Sequence, residues 1–427
     1  MIINFQIDNN DQFISENQDA VINFGVDSSF SFTFWNNKNK MPRWYSPEAI
    51  DLLYISLAVF AADRLVLRNN GVDGWSRNIE VYIPVLELSK LDSNCELLEK
   101  MIGFLSGDYW KFHFRQREFT AKELHHKLKM EKSKQTIKSY DRICMFSGGL
   151  DSFVGAIDTL ENQDKNTLFI SHYGGGKGTK EYQDLLKEKI IAKYGLEERD
   201  FYQYYAKVTN GIEDTTRTRS FMFFAHAIAV ASSLDKPIDL IIPENGVISL
   251  NIPSTISRFG TSSTRTTHPY YLQLFQELLN KLNLSITLKN PYQFCTKGEM
   301  LLNCTNKEFL KDNLKNTMSC SHPDVGRMLK ETKARHCGYC LPCVIRQAAI
   351  KKAHLEDDSS CRDNRFVNGK TAKVNLNSYK LGIEKFNPKY AFMTIQKSGP
   401  LLENIDQFSK LYIRGMNEVK VYLEETE

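Results

Sequence analysis

Two groups of residues have the types and the spacing to do chemistry. The first is Ser147-Gly148-Gly149-Leu150-Asp151-Ser152, which follows a short apolar run, Arg142 to Phe146, and opens a segment with helical spacing of its apolar residues. Adjacent glycines let the backbone approach an anion closely, and the N–H groups at a helix start carry partial positive charge without a partner inside the helix. Such a turn holds pyrophosphate largely by main chain, with hydroxyls added by Ser147 and Ser152. Asp151 would repel phosphate, so it either caps the helix or faces a magnesium ion bridging the phosphates. This is not a Walker loop, which needs a longer glycine spacing and a lysine before its Ser or Thr. The plain alternative is an ordinary strand-to-helix turn. The second group is His336-Cys337-Gly338-Tyr339-Cys340-Leu341-Pro342-Cys343, with cysteines at intervals of three that a turn and a helix start bring together. Zinc takes four ligands in a tetrahedron, and Cys320 is the best fourth, ahead of His322 and His336. A closed four-thiolate site has no open position, so its role is folding rather than activation of water, with redox chemistry the lesser alternative. Cys95, Cys144, Cys295, Cys304 and Cys361 are scattered and read as structural.

The elements that must position these groups follow from periodicity. From Arg142 onward, strands alternate with helices, the pattern of a parallel sheet with crossovers. Thr167 to Ser171 is the next strand, ending in His172-Tyr173-Gly174-Gly175-Gly176 before a helix from about Lys180 to Lys193. Phe201 to Ala206 and Ile238 to Ile242 are further strands, flanking a buried helix around Phe221 to His226, in which His226 reads as a satisfied core residue. Ligand sites in such sheets lie outside the carboxyl ends of the strands. Three polar loops therefore converge on Ser147: His172 to Gly178, Thr216 to Ser220, and a long loop from Glu244 to about His268 that carries Arg258 and Arg265. Arg217 and Arg219 at a helix start are expected to contact an anion rather than serve as plain surface charge.

At 427 residues the chain is long enough for two or three domains. Residues 1–119 read as an α+β accessory domain with antiparallel strands, among them Ser29 to Phe34, Asn78 to Ile83 and Trp110 to Phe114. Ser46-Pro47-Glu48 starts a helix running to about Leu67, and the alternating aromatics of this region read as core, with partner docking the lesser alternative. Residues 120–141 form a charged linker helix, 142–355 the catalytic domain with the cysteine cluster, and 356–427 a helical extension whose spacing, as in Phe408-Leu411-Tyr412, suits packing or partner docking. The net charge of +4 provides no global basic field, so direct nucleic-acid binding is not expected. The N-terminus lacks the pattern of a signal peptide, and Asp51, Asp63 and Arg64 argue against a membrane span in the most apolar segment. A cytoplasmic protein without a membrane association is expected.

With these residues in hand, the chain resembles the 7-cyano-7-deazaguanine synthases, the QueC family of PP-loop pyrophosphatases, over roughly Arg142 to Ala353. Ser147 to Ser152 matches the family's SGGxDS loop, His172-Tyr173-Gly174-Gly175 its DYGQ turn, and Arg219-Ser220 its helix-opening Arg-Asn. Thr296-Lys297-Gly298-Glu299 matches its TKxE segment, and Cys320, Cys337, Cys340 and Cys343 its zinc site. The resemblance implies a doubly wound parallel sheet and ATP, Mg2+ and Zn2+ as cofactors. It also implies Asp151, Ser152 and Lys297 as catalytic residues, with nucleotide held by Ser147, Gly148, Gly149, Leu150, Asp151, Ser152, His172, Tyr173, Gly174 and Arg219. Departures are Gly175 and Ser220 in place of Gln and Asn, a longer segment between Cys320 and Cys337, and the added N-terminal region. Extended chains of this kind are similar to the QueC-like components of bacterial anti-phage systems, Qat among them. That similarity implies a ligase that adenylates a 7-deazaguanine carboxylate and passes it to an amine of a partner protein from the same operon. The alternatives are a nitrile synthase using ammonia and a nucleotide-binding scaffold without catalysis.

Overall fold

The computed structural model describes residues 1–424 apart from 26–29, 37–40, 72, 133–137, 163–164, 175–176, 216, 253–264, 327–329 and 364. Ser29, Gly175, Gly176, Thr216 and Arg258, and with Arg258 residues 253–264 of the long loop after Glu244, lie outside the described residues. The first half runs β1 (Ile2–Gln6), β2 (Ala20–Asn23), β3 (Phe30–Phe32), α1 (Pro47–Leu65), β4 (Asn78–Val85), α2 (Leu88–Asp92), α3 (Cys95–Ser106), β5 (Tyr109–Gln116) and α4 (Ala121–Glu131). There follow β6 (Arg142–Met145), α5 (Leu150–Glu161), β7 (Thr167–Tyr173), α6 (Lys177–Tyr194), β8 (Phe201–Val208), α7 (Arg219–Ser232), β9 (Ile238–Ile241) and α8 (Gly246–Leu250). The chain continues through α9 (Pro269–Lys281), β10 (Ile286–Lys289), α10 (Lys297–Asn303), α11 (Lys307–Asn313), α12 (Leu341–Lys352), α13 (Gly369–Glu384), α14 (Ala391–Ile395) and α15 (Ile405–Glu424).

The strands form a four-stranded sheet, ordered β2-β1-β4-β5, and a six-stranded sheet, ordered β10-β9-β6-β7-β8-β3. In the larger sheet β7 and β8 lie to one side of β6, while the later strands β9 and β10 lie to the other, all parallel. The order therefore reverses between β6 and β9, and ligand crevices in open parallel sheets sit at such a reversal.

Two expectations for residues 1–119 are corrected. The strands of the small sheet are parallel, not antiparallel, because helices α1, α2 and α3 intervene between the paired strands β1, β4 and β5. The region is also not a separate body: β3 leaves it and pairs antiparallel with β8, Phe30 opposite Val208 and Phe32 opposite Ala206. One hydrophobic core spans both halves and joins Phe5, Phe34, Leu53 and Val81 to Ile143, Tyr204, Phe221 and Phe275. The helix expected from Ser46-Pro47 is present, capped by Ser46 Oγ accepting from Ala49 N at 3.3 Å. It is apolar on all sides because it packs against both β4 and α7. Its two buried carboxylates are paired: Asp51 accepts from Leu86 N and Glu87 N, both at 2.8 Å, and Asp63 meets Arg77 at 2.5 Å and Thr218 Oγ1 at 2.8 Å.

At the other end, Phe408, Leu411 and Tyr412 of α15 pack against Leu250, Ile395 and Leu401, so packing accounts for that stripe. Among the described residues no helix is long and apolar enough to cross a membrane.

Candidate functional site

The glycine turn joins β6 to α5 at the point where the strand order reverses. Gly148 sits at φ 80°, a conformation that disfavours a side chain, and Gly149 is the N-cap of α5. A Cβ on Gly148 would come within 3.0 Å of Gln183 Cγ and 3.1 Å of its backbone nitrogen, so this glycine also serves the close approach of α6. Gln183, wholly buried, donates through Nε2 to Ser147 O at 3.2 Å and His172 O at 3.0 Å, fastening the turn to the end of β7. On the other side Met318 N donates to Gly148 O at 2.9 Å and Leu150 N to Ser319 Oγ at 3.4 Å. Ser147 Oγ donates to Ser152 Oγ at 3.1 Å, and Ser152 Oγ donates to Gly149 O at 2.9 Å. The turn is thus held from three directions before any ligand arrives.

Asp151 does not cap α5. Its Oδ1 pairs with Lys297 Nζ at 2.8 Å, and its Oδ2 accepts from Asn245 Nδ2 at 2.7 Å and Asn245 N at 3.2 Å. Both oxygens are engaged within the protein, and a cation at Asp151 would need Lys297 to give way. Lys297 is the first residue of α10, where the helix dipole opposes a cation, and the Asp151 carboxylate offsets that. Its helix is gripped from α15: Thr296 Oγ1 donates to Glu418 Oε1 at 2.5 Å, and Arg414 pairs with Glu299 at 2.6 Å. Burial pushes the Asp151 carboxyl up, but Lys297 and the hydrogen bonds from Glu244 and Asn245 outweigh it and hold it down at about 2. For Glu244 beside it, burial and the Asp151 charge act together and raise its pKa well above the carboxylate range.

A raised carboxyl contributes stability below its unfolded pKa and loses it as pH rises through the folded value. Glu244→Gln removes that loss, so its melting temperature should stay level across neutral and alkaline pH while that of the parent declines. Parallel declines in thermal melts from about pH 5 to 9 would overturn the assignment.

Arg219 opens α7 with an exposed side chain, and among the described residues it has no carboxylate within 4.0 Å. Desolvation by the surrounding protein nevertheless lowers its pKa. It adds its charge to His172, which burial already holds well below its usual range. His172 and Tyr173 are the last residues of β7, paired with Tyr204 and Tyr205, rather than part of a turn. His172 Nε2 is buried without a hydrogen-bond partner among the described residues. His226, expected to be satisfied, is so only at Nδ1, which lies 2.7 Å from Met222 O, while its Nε2 also lacks a partner. Tyr173 lies 5.4 Å from the ring of Tyr205, and a Cβ on Gly174 would meet Ala206 O at an ordinary 3.7 Å, so packing does not demand a glycine there.

The expected anion contact of Arg217 is corrected. Its guanidinium lies over the Trp75 ring at 4.8 Å and donates to Ser106 O at 2.8 Å, because the C-terminal carbonyls of α3 attract it away from the glycine turn. Arg265 does the same at Phe104 O, at 2.7 Å.

The four cysteines meet as expected. Their sulfurs all lie within 4.8 Å of one another, with Cys320–Cys340 and Cys337–Cys343 at 3.9 Å. Backbone N–H groups of His322 and Cys337 point at Cys320 Sγ, and that of Cys340 at Cys337 Sγ, each at 3.3 Å, as suits thiolates. The donor set could hold a metal such as zinc. Neither histidine joins it; His336 Nε2 instead accepts from Ser319 N at 3.2 Å. Ser319 therefore links the cysteine cluster to the first turn of α5.

Glu244 and Asn245 begin one of the expected polar loops, and Asn245 carries a helix-cap signal, its Oδ1 accepting from Ile248 N at 3.0 Å. Gln183, Ser319 and Glu418 give no such signal, since each acts on a segment remote in sequence. Compared with models of known protein families and with curated protein sequences, the chain matches none.

Proposed function

We propose that this chain is an ATP-dependent, AMP-forming ligase of the QueC-like PP-loop type. It adenylates a 7-deazaguanine carboxylate and transfers the acyl group to an amine of a partner protein in anti-phage defence. The observation that carries this reading is the seating of Lys297 against Asp151 in the first turn of α5, at the strand-order reversal, with Arg219 near enough to His172, at the end of β7, to act on its charge. The turn offers main-chain donors and a helix N-terminus to phosphates, and Lys297 and Arg219 are the cations available to charge that develops there.

In the first step a carboxylate oxygen bonds to the α-phosphorus, the bond from that phosphorus to the bridging oxygen breaks, and pyrophosphate leaves. In the second the amine nitrogen bonds to the acyl carbon, AMP leaves with the ester oxygen, and the nitrogen gives up a proton. Magnesium supplied with ATP would neutralise charge on the departing phosphates. The orphaned Nε2 of His172, held neutral by burial, is an acceptor for a donor group of the bound molecule. The four-thiolate cluster fits structural zinc, which leaves no open position for substrate.

The test is intact mass of the proteins encoded beside this chain, purified with and without it, with the Asp151→Asn, Lys297→Met double variant as control. A mass increase of one deazaguanine acyl group on one of them, absent with the variant, is expected. AMP together with free nitrile and no modified protein would mean an ammonia-using synthase instead. No ATP turnover under any condition would mean a scaffold.

A further inference from the structure

Lys297 and Asn245, which hold the two oxygens of Asp151, stand on elements seated against one helix. Lys297 opens α10 and Asn245 caps α8. The C-terminal helix α15 meets the first element at Arg414 and Glu418 and the second at Leu411 and Gly415. Those four positions are spaced i, i+3, i+4 and i+7, which is one face of a helix. On the α8 side the approach is close because two residues lack side chains. A Cβ on Gly246 would fall 2.5 Å from Leu411 Cδ2, and one on Gly415 would fall 2.5 Å from Val247 Cγ2.

On the α10 side Glu418 brackets Lys297, accepting from Thr296 Oγ1 at 2.5 Å and from Gly298 N. A Cβ on Gly298 would lie 2.8 and 2.9 Å from the two Glu418 carboxylate oxygens and 2.7 Å from Lys352 Cγ of α12. The bare residue 298 is therefore what lets the carboxylate reach in beside α12. The start of α10 has no need of it as a cap. Thr296 and Glu299 already form a capping box, with Glu299 N donating to Thr296 Oγ1 at 3.1 Å and Thr296 N to Glu299 Oε2 at 2.9 Å. A second carboxylate at a capped start, half-buried at a cost that its raised pKa records, is surplus to the stability of a seven-residue helix. What it adds is a fixed direction for the residue between its two donors.

We infer that Glu418 is a positioning residue for the candidate site: through Thr296 and Gly298 it fixes the start of α10 so that Lys297 Nζ stays on Asp151, and α15 thereby sets Lys297 and Asn245 around that carboxylate as a unit. The consequence for catalysis rests on the proposed ligase reading, in which Lys297 faces developing charge. The placement of Lys297 does not depend on that reading.

The test uses the full chain with Glu418→Ala, Glu418→Gln and Leu423→Ala. Leu423 is buried beside Val344 on the same helix, so its truncation controls for general loosening of α15. In denaturant unfolding, Lys297→Met should raise the unfolding equilibrium constant roughly tenfold less in the Glu418→Ala background than in the parent, because a lysine no longer held on Asp151 has less to lose. In the Leu423→Ala background the rise should match the parent's. In ATP–pyrophosphate exchange, Glu418→Ala should lower kcat roughly tenfold to a hundredfold while KM for ATP stays within about twofold, since the glycine turn is untouched. Glu418→Gln keeps an acceptor oxygen and should recover part of the rate. Additive effects of Glu418→Ala and Lys297→Met on unfolding, or a loss of kcat in Leu423→Ala as large as in Glu418→Ala, would overturn the inference. A parent without exchange activity would remove the ligase reading instead, and the unfolding cycle alone would then decide whether Glu418 places Lys297.

Discussion

Lys297→Met should destabilise the fold by about 3–5 kcal/mol, because it strands the buried Asp151 carboxylate without its counter-charge. Both side chains are almost fully buried, and their 2.8 Å contact is reinforced on the other carboxylate oxygen by Asn245. The double variant Asp151→Asn with Lys297→Met removes both charges and should recover much of the loss, since the penalty belongs to the unpaired ion rather than to the pair. Denaturant unfolding of the parent, the two single variants and the double variant closes the cycle. If Lys297→Met costs under about 1 kcal/mol, the pair behaves as a screened surface contact and the reading of this site as a desolvated, preorganised one is wrong. Activity separates the roles further. The double variant should be folded yet inactive in ATP–pyrophosphate exchange, because the lysine charge that would face developing negative charge is gone.

Cys340→Ser should have a comparably large effect by a different route. A four-thiolate structural zinc contributes about 10–16 kcal/mol of apparent binding energy that is also folding energy, and losing one thiolate forfeits much of it. The consequence should not stay local. The cluster holds α13 through Tyr339 and, by way of His336 and Ser319, reaches Leu150 in the first turn of α5. Metal analysis should therefore find less zinc in Cys340→Ser, with a lower melting temperature, and a strong chelator applied to the parent should depress pyrophosphate exchange even though no cysteine lies in the cleft. Cys361→Ser is the control, since Cys361 lies outside the cluster and should leave the metal content unchanged. A parent protein that purifies without metal and melts as sharply as before chelation would contradict the structural role.

What the sequence made legible is what short-range physics encodes. The cysteines at intervals of three, the paired glycines after an apolar strand and the Ser46-Pro47 helix start each specify their own geometry within a few residues, and each is where it was expected. Strand direction is not encoded this way. The alternation in β4 and β5 reports one buried face and is silent on whether the neighbour runs parallel, which is decided by the intervening α2 and α3. The arginines at the start of α7 show the same limit. Arg217 lies before the N-cap Thr218 and reaches the carbonyls at the end of α3, while Arg219 is the first residue of α7 itself. Gln183 and Glu418 were invisible because their partners, Ser147 and Thr296, are 36 and 122 residues away.

The crossing of β3 into the larger sheet has a consequence for how this chain can be divided. A fragment beginning at the charged helix α4 would keep the glycine turn, the cysteine cluster and every cation of the cleft, and by motif alone it would look self-sufficient. It would also leave β8 as a bare margin, with the backbone groups that pair with Phe30 to Phe32 unsatisfied and the α7 surface that meets α1 open to water. An eight-residue strand left in that state is a template for another copy of itself. Such a fragment is expected to self-associate into insoluble material rather than behave as a smaller enzyme, and the shortest piece able to stand alone includes the segment that carries β3.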